Sequence, residues 1–252
     1  MSKIVNIIKQ YWSTVLIVAL LILTYYYLSI TKIFSATLFP PVYKIAEIFM
    51  TDYPTMLSNI GTSLTLVIPS LAITLVIAVL LGAAMGINTF LRDSLHPIIY
   101  ALSCIPSILL TPFLILLCPN LRTAAIIIII YGIVWSTLFA TMTGMEGISV
   151  GYIETARTLN IKGFKLIMDV LLPASAPAII GGFINSLRAS FVMLVFAEMY
   201  GINSGLGYYV RNGASMGRYD QMWAGLIVMV LFVLVVMQLF QRVKDYALRW
   251  TE

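Results

Sequence analysis

The chain has 252 residues, of which 61% are hydrophobic and only 10% charged, whereas soluble domains run about 45–50% apolar and about 25% charged; it reads as a membrane protein. Fifteen Lys and Arg against ten Asp and Glu leave a net charge of +5, but no basic stripe or aromatic RNA-binding motif accompanies the excess, so nucleic acid is not the expected partner. With two cysteines in apolar runs, Cys104 and Cys118, and a single histidine, neither a disulfide framework nor a zinc centre is expected.

A bilayer core of about 30 Å takes roughly 20 apolar residues per helix, so the intervals between charges mark out the spans. Residues 10–31 lie uncharged between Lys9 and Lys32. Their apolar run is long for a signal peptide and no small-residue cleavage site precedes Tyr25, Tyr26 and Tyr27, which predicts a retained first span. After Pro40 and Pro41, the amphipathic stretch from Val42 to Met50 fits either a short helix on the outer face or an ordinary structured loop. Pro54 and Gly61 place the start of the second span near Thr62. Residues 97–121 and 123–145 give the third and fourth, and Pro106, Pro112 and Pro119 are expected to kink or end the third, freeing carbonyls. A fifth span runs from about Ala174 to Ala197, interrupted by Arg188, and a sixth from Gln221 to Gln241. Between them, residues 198–220 are rich in Gly and Tyr and suit a tightly folded outer loop or re-entrant turn.

Six spans make an all-α polytopic protein in which residues 1–252 form a single transmembrane domain and both termini share one side. Cytoplasmic termini leave nine basic residues inside and five outside, with Arg188 within the membrane, the asymmetry that the positive-inside rule describes.

The only internal loop long enough to make structure of its own is Gly147 to Pro173. It reads as two short helices. In the first, Tyr152, Ile153, Ala156 and Leu159 supply an apolar face, Glu154 falls in the first turn and Arg157 toward the end, where each suits the helix dipole. Asn160 makes a stop, because Asn substitutes for Gly at a left-handed C-cap. The second helix runs from about Lys162 to Leu172, with Phe164, Ile167, Met168 and Leu171 apolar, until Pro173 breaks it.

Glu154, Thr155, Ala156, then Asn160, Val170, Leu172 and Pro173 resemble the EAA signature of ABC importer permeases, which runs Glu-Ala-Ala, three residues, Gly, nine residues, Ile, one residue, Leu, Pro. The spacing agrees throughout; Thr155, Asn160 and Val170 replace Ala, Gly and Ile. The run Pro173 to Arg188, Ala197-Glu198-Met199 and Gly205-Leu206-Gly207-Tyr208 also look like the nitrate, sulfonate, taurine and bicarbonate group of that superfamily. The resemblance implies a type I importer permease whose residues 147–173, with Glu154, Thr155, Ala156, Arg157, Asn160, Leu172 and Pro173, form a cytoplasmic coupling-helix pair. It implies a non-enzymatic subunit of a bacterial inner membrane that binds no cofactor itself. ATP and Mg would belong to two cytoplasmic ATPase subunits. A second permease chain, an extracytoplasmic substrate-binding protein and membrane lipid complete the expected partners.

Arg188 is costly in mid-span unless paired or facing water. It either lines the route and attracts an anion or fixes helix packing through carbonyls or a carboxylate. Glu198 lies ten residues on, about 15 Å along an ideal helix, too far to pair with it directly. Asn185, Ser186 and Ser190 share the neighbourhood and either contact solute or bond neighbouring helices; with Arg188 and Glu198 they are the candidates for the translocation path. Gly82, Gly86, Gly181 and Gly182 are expected to allow close helix approach. His96 before Pro97 reads as a cap or interfacial residue.

The function expected is transport of a small polar, anionic solute. A secondary transporter or channel would show repeated halves or several intramembrane carboxylates, and an intramembrane enzyme would need a Ser with a His, or paired Asp, at membrane depth; neither pattern is present. An uncharged heterocyclic vitamin precursor is the alternative cargo within the same architecture.

Overall fold

The computed structural model describes the backbone of residues 2–31 and 37–249; Lys32 and the side chains of Lys3 and Lys9, counted in the topology above, lie outside the described set. All regular structure among the described residues is helical. The chain divides into two units, one of residues 1–57 and 209–228, the other of residues 58–208 and 229–252.

In the first unit, α1 (Ser2–Thr31) exposes an unbroken apolar run from Val15 to Leu23, a surface suited to lipid. Its Tyr25 hydroxyl donates to the Pro40 carbonyl at 2.7 Å, and the ring meets Trp223 edge-on at 5.0 Å. The stretch read as amphipathic is a helix, α2 (Val42–Thr51), whose Ile45 is buried with Met56, Tyr209 and Ala224. Tyr209 donates to Asp52 Oδ2 at 2.6 Å; burial, and then the neighbouring carboxylate, hold the phenol above its ordinary pKa.

Along the second unit runs most of α3 (Tyr53–Ile87), one 35-residue helix. The helix thus begins nine residues before Thr62, where the span itself was expected to start after a surface lead-in. Pro54 sits in the first turn, where a missing N–H breaks no helical bond, and Gly61 is helix interior. Next come α4 (Thr89–Ser103), capped by Asn88 Oδ1 on the Leu91 N–H at 3.2 Å, a 3₁₀ turn (Ser107–Leu110) and α5 (Thr111–Leu117). α4 and the Ser107–Leu117 segment meet at 83°, the kink foreseen from Pro106. Pro119 falls in the turn before α6 (Leu121–Glu146), which starts on an Asn120 cap, Oδ1 to the Thr123 N–H at 2.8 Å.

The central packing is α6 against α9 (Leu172–Tyr200), with Leu187, Phe191, Ile129 and Ile133 buried between them and against Leu66 and Leu71 of α3. Glycines set the close approach of α3 and of α9 to α6. A Cβ on Gly82 would lie 2.7 Å from the Leu138 carbonyl oxygen, one on Gly86 2.5 Å from the Met145 Cβ, and one on Gly182 would overlap Ala140. Gly181 differs from the expectation: it meets nothing within 4 Å. The chain continues through α10 (Leu206–Ser215), a short helix within the stretch expected to be a tightly folded outer loop or re-entrant turn, to α11 (Tyr219–Ala247). Among the described residues, four helices are long and apolar enough to cross a bilayer, five if the bent pair is one span, and the described apolar part of α1, Val15–Thr31, is shorter.

Candidate functional site

The segment 147–173 folds from its own sequence up to Asn160. α7 (Val150–Thr158) closes in a Schellman motif: the Ile161 N–H bonds the Ala156 carbonyl at 2.9 Å and the Asn160 N–H the Arg157 carbonyl at 3.0 Å. Asn160 takes φ of +54°, the sole non-glycine residue with positive φ among those described. Its short amide side chain tolerates this conformation as the signature's Gly would. Arg157 is in the last turn as expected, but no acidic residue lies in the first. Glu154 falls in the second turn and points to solvent, so its carboxylate does not complement the helix start.

The second helix departs further from expectation. α8 (Gly163–Leu166) passes through a π turn, Ile167–Leu171, directly into α9, giving one continuous helix from Gly163 to Tyr200. Pro173 does not break it. The Leu172 N–H reaches back five residues to the Ile167 carbonyl, and the widened turn lets a residue without an N–H sit at the start of α9.

Of the apolar positions, Ala156 and Leu171 are buried, and Ile153, Leu166 and Ile167 pack with Ala83 and Met145. Val150, Tyr152, Leu159, Phe164 and Met168 are instead exposed, Phe164 by 75%. Tyr152, Thr155, Ala156, Leu159, Val170 and Pro173 help to line a groove of about 540 Å³. An ion pair, Arg92 to Glu146 Oε1 at 2.6 Å, ties the start of α4 to the end of α6 beside this segment.

On α9 the predicted path residues separate into two groups. Ser186 is buried and bonded to α6, donating to the Ile133 carbonyl at 2.5 Å and lying 2.8 Å from the Thr137 hydroxyl. Ser190 is buried on its own helix, donating to the Leu187 carbonyl at 2.7 Å. Asn185 and Arg188 are exposed; they belong to a stripe with Gly181, Val192, Phe196 and Tyr200 that runs along one face.

Glu198 is completely buried. Its Oε1 accepts from the Ser63 hydroxyl at 2.6 Å and its Oε2 from the Gly207 N–H at 2.6 Å. Ser63 accepts in turn from the Leu206 N–H at 3.1 Å, and Asn59 Oδ1 from the Gly205 N–H at 2.8 Å. Asn59 and Ser63 were not foreseen: they lie 135 to 146 positions from their partners, and a single sequence carries no signal that pairs them. Among the described residues, no group of three His, Cys, Asp or Glu is placed to hold a metal ion.

Residues 75–250 match the model of the binding-protein-dependent transport system inner membrane component. The chain belongs to this family. It is similar to the nitrate import permease protein of Synechococcus elongatus, 26% identical over 139 residues, 55% of this chain and 50% of that protein. A putative aliphatic sulfonates transport permease protein of Bacillus subtilis is 28% identical over 60% of this chain and 55% of that protein. The taurine transport system permease protein of Escherichia coli is 23% identical over 84% of this chain and 80% of its own length. The chain thus spans about half the length of the first two relatives. The family is one of inner membrane transport components, and with its long apolar helices this chain is a multi-pass membrane protein.

Proposed function

We propose that this chain is the six-span subunit of an ATP-driven importer for a small anionic solute, with both termini and residues 147–173 in the cytoplasm. It pairs with a second permease chain, receives solute from an extracytoplasmic binding protein and engages two ATPase subunits, where ATP and Mg are bound. The observation that carries this reading is the group of large apolar side chains, Val150, Tyr152, Leu159, Phe164 and Met168, exposed on a segment with EAA spacing whose groove Tyr152 and Leu159 line. Placed in water, such a group calls for a protein partner, and a helix continuous with a membrane span carries the partner's movement inward.

The stripe on α9 supports the second permease chain. An arginine turned outward at mid-span is expensive against lipid and stable against water or protein; among the described residues Arg188 has no ion-pair partner within the chain. A face holding Asn185 and Arg188 therefore suits a shared, wet interface, and its positive charge suits the negatively charged groups of nitrate and the sulfonates, the solutes named for two of the relatives. The test is co-purification and uptake with an ATPase and a binding protein encoded beside this chain. Leu159→Asp combined with Phe164→Asp is expected to abolish ATPase retention and ATP-dependent uptake of nitrate, taurine or bicarbonate while leaving the permease folded. Full retention and uptake in that variant would refute the docking.

A further inference from the structure

The start of α10 is held from outside its own sequence. The first N–H groups of a helix have no partner within it and are commonly met by a Ser, Thr, Asp or Asn just before it. Here that position is Gly205, with no side chain to offer. Three consecutive N–H groups, of Gly205, Leu206 and Gly207, are met instead by Asn59 and Ser63 of α3 and by Glu198 of α9. The turn is shaped around the carboxylate. Gly205 has φ of +98° and a Cβ there would overlap the Glu198 carboxyl group, while one on Gly207 would lie 2.9 Å from the Val195 carbonyl oxygen.

We infer that Asn59, Ser63 and Glu198 form a latch on the amino end of α10, and that Glu198 is a positioning residue for transport rather than a contact for the solute. Two properties define the latch. Both carboxyl oxygens of Glu198 accept, Oε1 from Ser63 and Oε2 from Gly207, so a glutamine, with an NH2 in place of one oxygen, cannot keep both bonds. The donors also depend on α3 and α9 together: Ser63 donates to Glu198 while accepting from Leu206, so a slide of one helix past the other breaks several bonds at once. α9 is a 29-residue helix that runs about 43 Å from the π turn beside the coupling segment to this latch. A displacement entering at Leu172 reaches Glu198 through one rigid element, and the latch releases when it arrives. This coupled release rests on the proposed importer function; the latch itself does not.

Leu206 reports on the latch because it is 1% exposed. Leu206→Cys, in a background with Cys104→Ser and Cys118→Ser, is labelled with a membrane-impermeant maleimide in two settings. In the purified permease alone, Glu198→Gln and Ser63→Ala are expected to raise the labelling rate severalfold over the parent. In the complete complex in proteoliposomes, trapping with ATP and vanadate is expected to raise it in the parent, and Glu198→Gln to lower the solute moved per ATP hydrolysed. Unchanged labelling in both variants of the isolated chain overturns the latch. Equal labelling of the resting and trapped parent, or a Glu198→Gln complex that keeps the parent's solute-to-ATP ratio, overturns the role in transport. If Glu198→Gln does not fold, Ser63→Ala decides both arms. Failure of any ATPase to associate counts against the proposed function and leaves the first arm standing.

Discussion

Where α9 begins, at Leu172, the neighbouring α7 and α8 leave Phe164 and Leu159 exposed on the chain; where it ends, at Tyr200, Glu198 is sealed inside the chain with both oxygens bonded. An apolar surface in water and a charge in the interior are both unfavourable in isolation, yet they call for different explanations. The first is relieved only by another molecule. The second is already relieved, by N–H and hydroxyl donors of the same chain. Substitutions at the near end should therefore alter assembly without altering the fold, and substitutions at the far end should alter the fold first.

The strongest way to break that comparison is Gly205→Val. Its φ of +98° costs a branched L-residue at least about 1–2 kcal/mol, and the new side chain would occupy the place of the Glu198 carboxyl group. The expected outcome is a melting temperature in detergent lowered by many degrees, or no recoverable protein. A variant with unchanged melting would mean that the turn is not built on the carboxylate.

Arg188 sharpens the comparison from the middle of the helix, because it is ionisable like Glu198 but faces outward. Neither Arg188→Lys nor Arg188→Gln should shift the melting temperature of the isolated chain. If the charge serves an anion in a shared path, Lys keeps part of the uptake rate and Gln loses most of it. Uptake that survives Arg188→Gln near the parent rate would redirect the reading of the cargo toward a neutral solute.

A smaller effect is expected of Glu154→Lys. The residue is exposed in the second turn of α7, so folding and melting should be unchanged. Reversing its charge on the docking surface should weaken ATPase retention, measurable by co-purification at raised salt. Retention and uptake both equal to the parent's would remove Glu154 from the contact.

Local chemistry was readable in the sequence, and pairing at a distance was not. The helices of spans four to six followed from charge intervals, whereas the third is a bent helix pair; α2 was one of two readings of its amphipathic pattern, and the Asn160 stop followed from the fact that few L-residues accept a left-handed conformation. Proline was the least transferable signal: Pro106 marks a real bend, whereas Pro54 sits in a first turn, where no bond is lost, and Pro173 follows a π turn inside a continuous helix. The helix from Gly163 to Tyr200 could not be foreseen, because a π turn is set by how the next helix must enter its packing against α6. Gly182 was readable as a close-approach residue and Gly181 was not separable from it, since which of two adjacent glycines faces a neighbour depends on helix rotation. Glu198 was visible as a candidate path residue just past the end of the fifth span, but its partners on α3 belong to tertiary structure alone.

The finest test concerns Asn160, at the near end. Its φ of +54° is admissible for Asn and freely available to Gly, so Asn160→Gly should leave melting, ATPase retention and uptake close to the parent's. Asn160→Ala places a Cβ in the same conformation without the short polar side chain, and should destabilise the Schellman turn by about 1 kcal/mol. Because α7 packs on the rest of the chain only through Ala156, Ile153 and their neighbours, that loss falls on the local turn rather than on global melting. Hydrogen exchange at the Asn160 and Ile161 amides, which close the turn, is the measurement that resolves it. Faster exchange at these two amides in Asn160→Ala, with Asn160→Gly unchanged, is the expected pattern. Equal exchange in both variants would show that the cap is held by the groove side chains around it and not by the backbone conformation of residue 160.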